Sequence, residues 1–172
     1  MADPTTEELF ERAIRLHSRR LLGIARAIVG SHAAAEDVLS QAIVNLFEHR
    51  DRYDWREPVG LLRRTVVNEA LRSLRQKKMS LVADDHPGRP DTPMDGLLEN
   101  ETVRHVRQAI SQLPEHFRAA LVLCEYEQMS YIQIAEVLDA SVPQVKTWLH
   151  RGRKQLAERL QGYMSEIRKN NR

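Results

Sequence analysis

Ser130-Tyr-Ile-Gln-Ile-Ala-Glu-Val-Leu138, the pair Asp139-Ala140, and Ser141-Val-Pro-Gln-Val-Lys-Thr-Trp-Leu-His-Arg-Gly-Arg-Lys-Gln-Leu156 form the stretch whose reading decides the fold. Ser130 with Gln133, and Ser141 with Gln144, have the spacing of capping boxes, in which side chain and backbone satisfy each other's free N–H groups at a helix start. Pro143 is tolerated in a first helical turn, where its missing N–H has no partner to lose. The spacing therefore predicts a short helix to Leu138, a tight turn, and a second helix to at least Leu160. At 3.6 residues per turn, Val142, Val145, Leu149 and Leu156 share one face of the second helix. Gly152 lies among them, where a bulky residue would hold the helix away from its neighbours. Thr147, His150, Arg151 and Lys154 fall on the opposite face, with Lys146 and Arg153 at the flanks. Two short helices, the second of them basic, describe a helix-turn-helix. Lysine and arginine reach phosphates or guanine edges, and threonine or histidine make shorter contacts.

Upstream, Val103, Val106, Ile110 and Leu113 stripe one helix, which Pro114 interrupts. A further helix is expected over residues 115–127, around the apolar run Ala119 to Cys124. Earlier still, Thr5 and Glu8 form another capping box, followed by Leu9, Ala13, Leu16, Ile24 and Ile28 at helical intervals. Gly30-Ser31 ends that helix and caps the next, striped by Val38, Leu39, Ala42, Ile43, Leu46 and Phe47. After the polar segment 49–58, a third helix carries Leu62, Val66, Ala70, Leu71 and Leu74. No segment alternates with period two, so the expected class is all-α. The predicted organisation is two small helical domains, residues 5–78 and 101–168, joined by a flexible acidic linker, 79–100. That linker holds Pro87, Pro90 and Pro93, whose rings and whose neighbouring like charges keep a chain extended. Asn170 and Asn171 predict a frayed tail.

The chain has 172 residues, 42% hydrophobic and 29% charged, which excludes collagen-like and disordered classes. Its net charge is only +2 but is unevenly placed. Arg63, Arg64, Arg72, Arg75, Lys77 and Lys78 face one acid, Glu69, and Lys146, Arg151, Arg153, Lys154 and Arg159 face Glu158 alone. Between them lie Asp84, Asp85, Asp91, Asp95 and Glu99. Two basic patches around an acidic stretch point to two contacts with a polyanion, nucleic acid. The lone Cys124 excludes a disulfide framework and paired-thiolate zinc sites, and reads as a buried small hydrophobe. No apolar run approaches the length of a membrane span. The acidic start, Met1-Ala-Asp-Pro-Thr-Thr-Glu-Glu8, lacks the basic region of a secretory signal, so a cytoplasmic location is expected. There is no P-loop, glycine-rich phosphate cradle or nucleophile elbow, and the histidines are scattered. The chain reads as neither an enzyme nor the holder of a metal or cofactor, and no small-molecule substrate is expected.

The helix-turn-helix stretch, with Leu113-Pro-Glu-His-Phe-Arg118 before it, resembles region 4 of the extracytoplasmic-function sigma factors of RNA polymerase. Ala35-Glu-Asp-Val-Leu39 and Leu61-Leu-Arg-Arg-Thr-Val-Val-Asn-Glu-Ala-Leu-Arg-Ser-Leu-Arg75 resemble region 2 of the same family. The resemblance implies that Glu36, Asp37, Leu39, Ser40 and Gln41 dock on core RNA polymerase. It implies that the segment 53–58 and the helix 59–75 bind and open the promoter −10 element, with Asn68 and Arg72 near the non-template strand. Tyr53 and Trp55 are candidate stacking platforms for an unpaired base, Trp55 equally a hydrophobic anchor for its loop. Arg63, Arg64, Arg75 and Lys77 suit phosphates. Lys146, Thr147, His150 and Arg151 match the −35-contacting positions, and Ser141, Gln144, Arg153 and Lys154 complete that set. Trp148, at the edge of the apolar stripe, suits packing better than base stacking. The sequence departs from the family at Ser40 (commonly Gln), Leu61 (Trp), Arg72 (Asp), Asp139 (Gly) and Gln144 (Thr). An arginine in place of an acid at position 72 adds attraction for phosphate.

The implied function is promoter-specific initiation with polymerase and promoter DNA as partners, and an anti-sigma factor as a regulatory one. Two other readings compete. A stand-alone helix-turn-helix regulator leaves the first basic helix and the acidic linker without a purpose. A sigma-like decoy for an anti-sigma factor has no need of either basic face.

Overall fold

The computed structural model describes residues 4–83 and 101–170, with side chains over 4–79 and 102–162. Among these residues there is helix and turn but no strand, as the periodicity requires. Thr5 opens α1 (Thr6–Val29): its hydroxyl accepts from the Glu8 N–H, and the Glu8 carboxylate accepts from the Thr5 N–H at 2.8 Å. Gly30 closes α1 at φ 90°, a left-handed conformation that only glycine adopts without strain, and its N–H donates to the Arg26 carbonyl. Ser31 accepts from the Ala34 N–H at 3.1 Å and starts α2 (His32–Glu48). A 3-10 turn, Arg50–Arg52, and the buried Pro58 lead into α3 (Val59–Ala83).

These three helices pack on one another around Phe10, Ile24, Ile28, Ala35, Val38, Leu62, Val66 and Val67. Each fully buried Ile or Leu contributes about 1.5–3 kcal/mol relative to exposure. Leu16, expected in this core, is 66% exposed. It lies about a third of a turn from the mid-line set by Phe10, Leu21, Ile24 and Ile28. Phe47, also expected inside, is 42% exposed, its ring tilted against Phe10 at 5.6 Å. Helix α3 continues through residues 79–83, which the sequence reading gave to the linker, and the acidic residues 84–100 lie outside those described.

The second half comprises α4 (Glu101–Ser111), α5 (Glu115–Leu121), a π-turn (Val122–Tyr126), α6 (Tyr131–Val137) and α7 (Val142–Asn170). The single helix expected over 115–127 is thus interrupted. The Glu127 N–H reaches back five residues to Val122 O at 3.2 Å, widening the coil. In α4 the buried side chain is Ala109, whereas Val103 is 47% exposed. Ser130 caps α6 with Gln133 in the expected box, and α6 gives way to α7 through Asp139 at φ 50°. This left-handed position explains why glycine suits it; aspartate is among the few other residues that tolerate it. Gly152 is where α7 meets α5: a Cβ there would stand 3.0 Å from Leu121 Cδ1 and 3.3 Å from Phe117 Cβ.

The two halves are not apart. α4 and α5 lie on α1, and α5 and α6 lie on α3, so that Leu113, Ala119, Ala120 and Leu123 join the core of the first half in one buried cluster.

Candidate nucleic-acid interface

The basic face of α7 is set by its first turn. The Ser141 N–H donates to Gln144 Oε1 at 2.8 Å, and the Gln144 N–H donates to Ser141 Oγ at 3.4 Å. These two side chains therefore organise the start of the helix, and Thr147 Oγ1 donates to Pro143 O at 2.9 Å. With Val145 and Leu149 fully buried beneath, Lys146, Thr147, His150, Arg151 and Lys154 all stand exposed on the outer face. Arg153 is turned elsewhere. Its Nη2 donates to Glu125 Oε1 at 2.7 Å and lies 3.5 Å from Cys124 Sγ. The bonds to Glu125, then to Tyr131, raise its pKa further, fixing the cation at this edge. Trp148 stacks on His116 with ring centroids 5.0 Å apart, the packing role its place on the stripe suggests.

On α3, Arg64, Asn68, Arg72 and Lys77 are exposed, and the first three recur every four residues along one face. Tyr53 is exposed at the mouth of the preceding loop. Trp55 is not available for stacking on a base: it is 4% exposed, its Nε1 donates to Arg50 O at 2.7 Å, and its edge meets Phe10 at 4.9 Å. The buried indole anchors the loop, which is the second of the two roles considered for it. A groove of about 590 Å³ opens between this loop and α1, lined by Leu9, Arg12, Leu16, His17 and Val59. It accounts for the exposure of Leu16.

On α2, Glu36, Asp37, Ser40 and Gln41 face solvent, with Leu39 half-buried. Glu36 lies 3.4 Å from His32 Nε2, and Gln41 Nε2 donates to Asn45 Oδ1 at 3.1 Å. Val44, 48% exposed, and Phe47 continue this surface as an apolar strip that the sequence reading did not single out.

Two of the basic residues of α3 face the second half of the chain. Arg63 Nε donates to Glu127 Oε2 at 2.7 Å, and Arg20 Nε of α1 donates to Glu127 Oε1 at 2.8 Å. The Glu127 side chain has no exposed surface. Its bond and charge raise the pKa of Arg20. Arg75 Nε donates to Glu115 Oε1 at 3.0 Å. Sequence reasoning missed Arg20 and Glu127. Their partnership crosses 107 residues, and no local spacing signals it.

The Sigma-70 region 2 family model matches residues 13–79, and the Sigma-70 region 4 model matches residues 104–156. The RNA polymerase sigma-E factor of Streptomyces coelicolor is 30% identical, over 88% of this chain and 85% of its own length. The chain belongs to the extracytoplasmic-function sigma factors of RNA polymerase. Another member, SigE of Mycolicibacterium smegmatis, is 29% identical over 96% of this chain, which spans 65% of that longer protein. The fold also matches that of the sigma factor RpoE of Bartonella quintana, solved in complex with the anti-sigma factor NepR. There the TM-score is 0.72 at 18% identity, covering 88% of this chain and 96% of that one. Sigma factors bind core RNA polymerase and direct promoter-specific transcription; they are regulators of transcription rather than catalysts. No helix among the described residues of this sigma factor is long and apolar enough to cross a membrane.

Proposed function

We propose that this sigma factor divides its work between residues 5–78 and residues 101–168. The first part docks on core polymerase through Glu36, Asp37, Leu39, Ser40 and Gln41. It engages and opens the −10 element with Tyr53, Arg63, Arg64, Asn68, Arg72, Arg75 and Lys77. The second anchors −35 duplex through Lys146, Thr147, His150, Arg151 and Lys154, with the Ser141–Gln144 box and the Arg153–Glu125 pair positioning the helix. Strand opening then draws on binding energy alone, and polymerase supplies the nucleotidyl transfer. An anti-sigma partner and a cytoplasmic location fit the same reading.

The observation that supports it most is the pair of exposed cationic helix faces, one on α3 and one on α7, each backed by a buried apolar stripe. A decoy that touched no DNA would have no use for either. Run-off transcription with purified core polymerase tests the proposal. The chain is expected to direct initiation from a cognate promoter, and Asp37→Arg to weaken polymerase association while leaving the helical circular dichroism unchanged. Duplex binding that is indifferent to polymerase would instead favour a stand-alone regulator.

A further inference from the structure

Helix α1 carries a third cationic surface, besides those on α3 and α7. Arg12, Arg15 and Arg19 are all exposed, and at about 100° per residue they fall within about 60° of arc. Among the described residues no acid pairs with any of them. Glu8, the acid that shares their arc, is engaged by Thr5, whose N–H and hydroxyl both donate to its Oε2, at 2.8 and 3.1 Å. Arg20, beside Arg19 in the chain, is held by Glu127. The row from Arg12 to Arg19 covers about 10 Å of helix axis, close to the rise of about three stacked nucleotides.

This row borders the groove of about 590 Å³ between α1 and the loop before α3, and Arg12 belongs to both. Sites for small ligands commonly measure about 300–1,000 Å³. The groove is lined by the buried Trp55 and Pro58 and by Leu16, whose exposure of 66% leaves an aliphatic face uncovered. At its edge Gly60 has nothing within 4 Å of where a Cβ would stand. Glu57 is the one acid in the lining. An apolar slot edged by guanidinium groups suits a flat ring that carries phosphates, because arginine both stacks on the ring and pairs with the phosphate. A lipid bilayer is flat on this scale and does not enter a groove.

We propose that the groove and the α1 arginines form a nucleotide-binding site separate from both promoter faces. The base lies in the groove against Leu16 and the Arg12 guanidinium, and its phosphates run along Arg15 and Arg19. The same chemistry has two sources, a free nucleoside polyphosphate and an unpaired stretch of nucleic acid.

The test uses the full chain and two probes read by fluorescence anisotropy: N-methylanthraniloyl GTP and a fluorescein-labelled, mixed-sequence 12-nucleotide single strand. The double variant Arg15→Gln with Arg19→Gln removes the phosphate row, and Leu16→Asn removes the apolar wall. None of these residues is assigned to promoter DNA or polymerase. All three are exposed, so circular dichroism and the thermal midpoint are expected to stay unchanged. Binding of the labelled GTP identifies a free nucleotide as the source, and binding of the strand alone identifies nucleic acid. Each variant is expected to weaken the bound probe at least about fivefold, the low end of what one stacked base contributes. Unchanged affinity in the double variant would overturn the phosphate row, and in Leu16→Asn the placement of the base. Inorganic triphosphate competing as well as unlabelled GTP would overturn recognition of a base. Failure of both probes to bind would overturn the site outright, and capture by phosphatidylserine vesicles in their place would make this surface a lipid contact.

Discussion

Arg118 donates from Nη1 to the carbonyl of Ile28 across 2.6 Å, so a guanidinium on α5 closes the C-terminal end of α1, ninety residues earlier in the chain. The same group donates through Nη2 to the carbonyls of Leu113 and Ser111 at the end of α4. A cation is favoured at a helix C-terminus, where unpaired carbonyls concentrate negative potential. Burial lowers the Arg118 pKa, with Glu115 opposing, yet the three acceptors keep the charge in place. One side chain therefore terminates two helices and joins the halves of the molecule.

Arg118→Met keeps much of the volume and leaves three carbonyls without their donor. Losing charged hydrogen bonds in a buried setting should cost about 3 kcal/mol, seen as a lower urea midpoint. A change below about 0.5 kcal/mol would mean that water serves these carbonyls equally well.

Gly152→Val places a branched side chain where even a Cβ meets Leu121 Cδ1 at 3.0 Å. Overpacking at this contact between helices should destabilise the chain by about 1–3 kcal/mol. It should also shift the α7 face relative to α5. Thermal unfolding reads the first effect, and loss of −35 affinity in the polymerase-bound form reads the second.

Lys146→Ala and Arg151→Ala should each weaken binding to a cognate promoter by about 1–3 kcal/mol where a base contact is lost. A residue that touches only phosphate should instead lower the salt dependence by about one ion. Arg153→Ala is expected to cost less promoter affinity, because its guanidinium is held by Glu125 at 2.7 Å. Promoter choice and affinity unaltered by the first two substitutions would move the recognition face away from this surface.

Cys124 is half-buried, and its thiol pKa is raised, first by burial and then by Glu125, with Arg153 opposing. The thiolate is the reactive form, so at neutral pH iodoacetamide should modify Cys124 more slowly than free cysteine. The rate should climb with pH past the ordinary thiol range. Removing the opposing cation in Arg153→Ala should slow it further, as stopped-time mass spectrometry would show.

Much of this molecule could be read locally. The boxes at Thr5–Glu8, Ser130–Gln133 and Ser141–Gln144 mark three helix starts because each is a contact between residues three apart. Gly30 marks an end because a left-handed residue is needed there. The α7 face was legible for the same reason: at 3.6 residues per turn, Val145 and Leu149 going inward carry Lys146, His150 and Arg151 outward. Leu16 misled because it continues a plausible interval from Ala13 while lying off the mid-line of α1. The π-turn was invisible because residues 119–124 are apolar throughout, and an unbroken apolar run has no periodicity in which an inserted residue would show.

Amino-acid order alone settled an all-α chain, most of its helix starts, two cationic faces and the family to which it belongs, since each depends on contacts within one or two helical turns. Tertiary packing alone decided that Trp55 anchors a loop, that Arg153 turns to Glu125, that Arg118 terminates α1, and that Glu127 ties Arg20 to Arg63. Those partners are chosen by where whole helices come to rest, and a charge's neighbour across a buried interface leaves no trace in its own surrounding residues.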